Sequence, residues 1–128
     1  MQKRPYGRTG IDLSIIGFGA ILVTDTEATE ASRLVAGAVD HGINYFDVAP
    51  SYGNAEECLG PALEPYRNNV FLACKTTERS RQGAEREMLQ SLKNMRSEHF
   101  DLYQLHAMTT QEDFDAATAS DGALPFLI

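Results

Sequence analysis

The chain has 128 residues, 43% of them hydrophobic and 23% charged, which is the composition of one globular domain and not of a disordered tail. Its net charge of −7 leaves no basic excess to neutralise phosphates, which disfavours a general nucleic-acid surface without excluding a local phosphate pocket. Two cysteines, Cys58 and Cys74, make neither a disulfide framework nor a zinc knuckle, and no apolar run follows Met1 or is long enough to span a bilayer, so a reducing cytoplasm and no membrane partner are expected.

In chain order, residues 3–6 and 11–13 flank Gly7-Arg8-Thr9-Gly10 and predict a hairpin over 3–13. Residues 14–18 form a compact apolar strand. Thr24-Asp25-Thr26-Glu27 then offers caps to a helix with Ala31, Leu34, Val35, Ala38 and Val39 on one stripe, ended by His41-Gly42. Residues 43–48 are the next strand. Asn54 to Glu57 opens a short helix to Leu63, stopped by Pro65. Residues 70–74 are a third strand, 83–95 a helix with Ala84, Met88, Leu92 and Met95 on one face, and 101–105 a fourth strand. Residues 107–120 are expected as a loop with a helical turn near 112–117, and a last helix begins after Asp121-Gly122. Its apolar end, Leu124-Pro125-Phe126-Leu127-Ile128, resembles the start of an element cut off.

Strands alternating with helices imply an α/β fold with parallel pairing and right-handed crossovers. Two closures fit: an open doubly wound sheet, or half of an eight-stranded barrel, which in full needs roughly 250 residues. Length favours the first. The residues at the strand ends favour the second.

Asp47 ends the second core strand, and Tyr52 follows it in Ala49-Pro50-Ser51-Tyr52-Gly53. Lys75 ends the third strand and His106 the fourth. In a parallel sheet these ends share the edge where ligands bind. If Lys75 points inward, so do Phe71 and Ala73, while Leu72 and Cys74 face the helices; if His106 points inward, so does Gln104. The set is chemically coherent. An ammonium near a phenol eases proton transfer, a carboxylate holds the ammonium, and an imidazole donates to a carbonyl oxygen. Each residue alone also has an ordinary reading as a cap, a turn or a solvated strand end. It is their shared edge that suggests carbonyl reduction.

The same residues resemble the signature of the aldo-keto reductase family. Tyr6-Gly7-Arg8-Thr9-Gly10 and Ile16-Gly17-Phe18-Gly19 are similar to its hairpin and first strand. Gly42-Ile43-Asn44-Tyr45-Phe46-Asp47-Val48-Ala49-Pro50-Ser51-Tyr52-Gly53-Asn54-Ala55-Glu56, with Gly60, resembles its first signature. Phe71-Leu72-Ala73-Cys74-Lys75-Thr76 and Asp101-Leu102-Tyr103-Gln104-Leu105-His106 resemble the strands bearing its lysine and histidine.

The resemblance implies a TIM barrel, (β/α)8, of which residues 1–128 supply the first four units: hairpin 3–13 plugging the barrel floor, then 14–128. It implies reduction of aldehydes and ketones with NADPH or NADH. Tyr52 would be the general acid, Lys75 its activator, Asp47 the partner of Lys75, and His106 the group orienting the carbonyl. Gly19 and Asp47 would lie on the cofactor side, with most of the cofactor site in the C-terminal half that family members carry beyond this length. Ala107-Met108 lacks the Trp often found after the histidine. A half barrel exposes strand edges and inner faces, so the expectation is a marginal monomer, a dimer that completes something barrel-like through those edges, or a fragment of a longer product, and the segment alone is expected not to turn over.

Rival readings are weaker. Gly17-Phe18-Gly19-Ala20-Ile21-Leu22 has leucine where a dinucleotide fingerprint needs its third glycine. A Schiff-base lysine at Lys75 is opposed by Asp47. A receiver-like module wants several acids at the edge where only Asp47 is well placed. A binding protein that has kept these residues and lost turnover remains the alternative. His41, His99 and His106 have no ligand spacing with either cysteine, so no metal site is expected.

Overall fold

The computed structural model describes residues 1–128. Strands β1 (Lys3–Pro5) and β2 (Asp12–Ser14) form the antiparallel hairpin, with Lys3 opposite Ser14. Its turn places Gly7 at φ +57° and Gly10 at φ +79°, which glycine adopts without a Cβ penalty.

The first core strand differs from expectation. Residues 14–18 do not form one strand: Ser14 closes the hairpin, and β3 is only Phe18–Gly19. Asn44 explains the break. Its Oδ1 accepts from the Ser14 amide at 2.7 Å, while the Ser14 hydroxyl donates to the Ile16 carbonyl at 2.7 Å. The chain bends there, and Ile15 and Ile16 are left exposed. Gly17 is required at the bend because a Cβ would come within 2.6 Å of the Tyr45 ring.

β3, β4 (Tyr45–Asp47), β5 (Phe71–Thr76) and β6 (Leu102–Leu105) form one parallel sheet in the order β3-β4-β5-β6. A 3₁₀ turn (Ala20–Val23) and α1 (Ala28–Asp40) join β3 to β4; α2 (Ala55–Leu63) and a 3₁₀ segment (Glu64–Asn69) join β4 to β5; α3 (Arg81–Asn94) joins β5 to β6. α4 (Gln111–Thr118) and α5 (Leu124–Leu127) follow. This is the start of an α/β barrel, with β3 and β6 as open edges.

Several boundaries moved for local reasons. α3 begins earlier than 83 because Ser80 caps it, accepting from the Gly83 amide at 3.1 Å. The expected loop at 107–120 holds the regular helix α4, capped by Thr110, which accepts from the Asp113 amide at 3.0 Å. Asn54 does not cap α2; its Oδ1 accepts from the Asp25 amide at 2.9 Å instead. Pro65 lies within the 3₁₀ segment rather than stopping the chain, and Pro61 is accommodated inside α2.

The core lies between sheet and helices. Phe46, Leu72 and Cys74 from the strands, with Val48 just past β4, meet Val35, Leu59 and Leu63 from the helices. Leu72 and Cys74 face the helices as the alternation predicts. On the other face Phe71 is also buried, with the rings of Tyr6 and Tyr45 at 5.4 and 5.9 Å. Ala73 is buried as well, so the inner face is less exposed than an open half barrel suggests. Burial pushes the Cys74 thiol up to about 12, which makes it a packing residue and not a nucleophile.

The hairpin is clamped beneath the sheet by Asn44, just before β4. Besides the bond to Ser14, its Nδ2 donates to the Asp12 carbonyl at 2.9 Å. Asn44→Ala removes both bonds and leaves backbone groups unpaired. The expected cost is about 2 kcal/mol, read as a lower midpoint in chemical unfolding. An unchanged midpoint would show that the hairpin docks without this clamp.

Candidate active site

The strand register brings the predicted residues to one rim. Asp47 ends β4 beside Ala73 of β5 and Gly19 of β3; Lys75 pairs with Gln104 of β6; His106 follows β6 directly, its amide donating to the Thr76 carbonyl at 2.9 Å. Parallel pairing thus converts four distant stretches of sequence into one cluster.

The Lys75 ammonium forms an ion pair with the Asp47 carboxylate and also donates to the Val48 carbonyl at 3.3 Å. It stands 5.2 Å from the centroid of the Tyr52 ring. The His106 ring meets Tyr52 edge-on, 5.8 Å between centroids and perpendicular. Asp47, Tyr52, Lys75 and His106 therefore form one connected group. Gly19 stands beside Asp47, and a Cβ added to it would meet nothing within 4 Å, so the rim is open there.

The ion pair is largely withdrawn from water, with 13% of the Lys75 side chain and 25% of Asp47 exposed. Burial pulls the Lys75 ammonium down, but the hydrogen bond and charge of Asp47 outweigh it, and the net position is above the ordinary lysine value. A charged lysine is thereby kept beside the Tyr52 ring. Tyr45 lies near the same carboxylate, its hydroxyl 3.5 Å from Asp47 Oδ2; burial first, and the Asp47 charge second, push this phenol up.

The loop carrying Tyr52 is held from several sides. Its amide donates to the Ala49 carbonyl at 3.1 Å, and its carbonyl accepts from the Thr24 hydroxyl at 3.2 Å. Gly53 follows at φ +59°, with Thr24 Cγ2 3.1 Å from where a Cβ would stand. Any side chain at 53 would strain the backbone and push on the residue that fixes Tyr52.

Sequence reasoning missed four supporting residues. Ser51 Oγ is 3.3 Å from His106 Nδ1. Arg79 donates to the His106 carbonyl at 2.8 Å. Glu87 of α3 accepts from the Thr76 hydroxyl at 2.6 Å and from the Thr77 amide and hydroxyl, each at 2.8 Å, which fixes the end of the lysine strand. Thr24 is the fourth. Their partners are not local: 55 positions separate Ser51 from His106, and only the fold joins them. Of the other histidines, Nδ1 of His41 is 2.7 Å from the Gly37 carbonyl at the end of α1, and His99 lies 3.8 Å from Asp101. No group of three or more His, Cys, Asp or Glu side chains is arranged to hold a metal ion.

Comparison with known proteins identifies relatives of the chain. The Aldo/keto reductase family profile matches residues 15–121. The chain is 32% identical to the uncharacterized oxidoreductase YqkF of Bacillus subtilis, over 90% of this chain and 42% of that protein. It is also 32% identical to the aldo-keto reductase YhdN of the same organism, over 83% of this chain and 38% of that one. Among solved structures, an inferred aldo-keto reductase of Pseudomonas aeruginosa, PA4992, superposes with a TM-score of 0.86 at 30% identity, covering 98% of this chain and 54% of that one. The chain thus spans about two-fifths of the length of these curated relatives and about half of the solved one. The partial barrel, the cluster on its rim and these matches place the chain in the aldo/keto reductase family of oxidoreductases.

Proposed function

We propose that the protein reduces the carbonyl of a small aldehyde or ketone to an alcohol with NADPH or NADH. One observation carries the reading: the Lys75 ammonium is paired with the Asp47 carboxylate and stands beside the Tyr52 ring, which the His106 ring meets edge-on. In this reading Tyr52 gives its proton to the carbonyl oxygen. Lys75 lays a fixed positive charge beside the phenol as the proton leaves, and Asp47 holds Lys75 charged and in place. His106 donates a hydrogen bond that orients the same oxygen.

The open rim beside Gly19 and Asp47 fits the nicotinamide end of the cofactor, and these two residues would hold it. When bound, the nicotinamide supplies the hydride that the carbonyl carbon receives. Most of its remaining contacts are proposed to come from the C-terminal half that the longer relatives carry. Turnover is accordingly ascribed to the protein with the rest of its barrel in place; the 128 residues alone are proposed to be inactive. The open edges of β3 and β6 are the surfaces through which self-association would occur. A cytoplasmic setting is part of the same proposal.

The test is nicotinamide oxidation by the full-length protein across a panel of aldehydes and ketones. Turnover is expected with NADPH or NADH as the electron donor. Tight NADPH binding with no oxidation for any carbonyl would favour the alternative, a family member that has kept its residues and lost its activity.

A further inference from the structure

Arg79 makes contacts that the proton-transfer group does not by itself explain. It lies between β5 and α3, three residues past Thr76, with 18% of its side chain exposed. Its Nη2 donates to the carbonyls of His106 and Ala107, at 2.8 and 3.2 Å. Its Nε donates to Asp113 Oδ1 of α4 at 2.8 Å. Asp113 is in turn fixed by Thr110, whose hydroxyl donates to its Oδ2 at 2.9 Å. Arg79 hydrogen bonding, then that of Thr110, holds the Asp113 carboxyl below its ordinary value, so the pair stays charged. The Arg79 carbonyl also accepts from the Ala123 amide at 2.8 Å.

Two features mark this as more than a surface ion pair. Ala107 is in the left-handed region at φ 52°, unusual for a residue with a Cβ, and it follows the histidine directly. Both carbonyls of this turn accept from one guanidinium. The remaining Nη1 of Arg79 is buried without a hydrogen-bond partner, a cost that a freely placed arginine would avoid. His106 is thus held twice: its ring by Ser51 and its backbone by Arg79.

We propose that Arg79 is a positioning residue for the reaction, fixing the His106 backbone so that its imidazole faces the substrate carbonyl beside Tyr52, with Asp113 orienting Arg79. The proposal rests on the carbonyl-reductase reading. A planar fork is needed because three acceptors on two elements are served at once, which an ammonium on a flexible stem does not do.

The test uses the full-length protein with Arg79→Ala, Arg79→Lys and Asp113→Asn. Arg79→Ala is expected to lower kcat for carbonyl reduction about tenfold, the scale of a modest misplacement, with NADPH affinity unchanged. Millimolar guanidinium should restore part of that rate where equal sodium chloride does not, and Arg79→Lys should not rescue. The His106 imidazole signals in labelled protein should shift in Arg79→Ala and, less strongly, in Asp113→Asn. Asp113→Asn leaves Arg79 in place and keeps the question open to measurement where Arg79→Ala does not fold. Unmoved His106 signals in folded variants would overturn the proposal, as would a tenfold loss explained wholly by reduced folded protein. If the protein reduces no carbonyl, the functional reading fails while the His106 signals still decide whether Arg79 positions that residue.

Discussion

Tyr52→Phe is expected to lower kcat for aldehyde reduction by about 10²–10⁴-fold, the usual contribution of a positioned acid, with NADPH affinity retained. The substitution removes one oxygen from a ring that is also held through its backbone and its faces. The ring is fixed by backbone contacts through Ala49 and Thr24, and it touches both the Lys75 ammonium and the His106 ring. None of these requires the hydroxyl, so the fold should survive and the loss should be chemical. Steady-state kinetics of the full-length protein, with NADPH affinity taken from a binding titration, separate the two quantities. Near-normal kcat in the variant would remove Tyr52 from the role of acid. Loss of cofactor affinity in parallel with kcat would point instead to a disturbed rim.

How much of this was legible in the sequence depended on distance along the chain. Strand ends were readable because parallel βα units put them on one rim, so Asp47, Lys75 and His106 could be grouped from strand positions alone. The alternation that sends Leu72 and Cys74 toward the helices was readable for the same reason. The limits of the first strand were not. Ile15 and Ile16 look like core residues, but Asn44, some 30 positions away, bends the chain before the ladder begins. α4 was read only as a helical turn near 112–117 because its cap, Thr110, lies in a stretch with little apolar periodicity. The partners of Glu87, Ser51 and Arg79 were invisible because hydrogen bonds across loops leave no spacing to read. The chemistry could thus be read from residue types at strand ends, while the apparatus that aims it could be seen only in three dimensions.

Lys75→Met is the second variant with a large expected effect, because it acts on both activity and stability. It keeps the apolar stem and removes the charge, leaving the largely buried Asp47 carboxylate without its partner. Breaking a buried pair from one side costs about 3–5 kcal/mol, and the partial exposure of Asp47 brings the expectation to about 2–3. Carbonyl reduction should fall by at least about 10²-fold with the loss of the charge beside Tyr52.

The pH dependence has a definite sign. Lys75 is held above its ordinary value in the folded chain, so folding retains its proton. Its stabilising contribution is complete below the unfolded lysine value of about 10.4 and is lost as pH rises through the higher folded one. The stability gap between wild type and Lys75→Met should therefore be constant from neutral pH to about pH 10 and narrow above it. Denaturant unfolding at several pH values measures this. Adding Asp47→Asn to Lys75→Met removes the stranded carboxylate, so the double variant should recover part of the lost stability and none of the activity. A double variant no more stable than Lys75→Met would mean that Asp47 is well solvated without its lysine, and that the pair serves only to place the charge beside Tyr52.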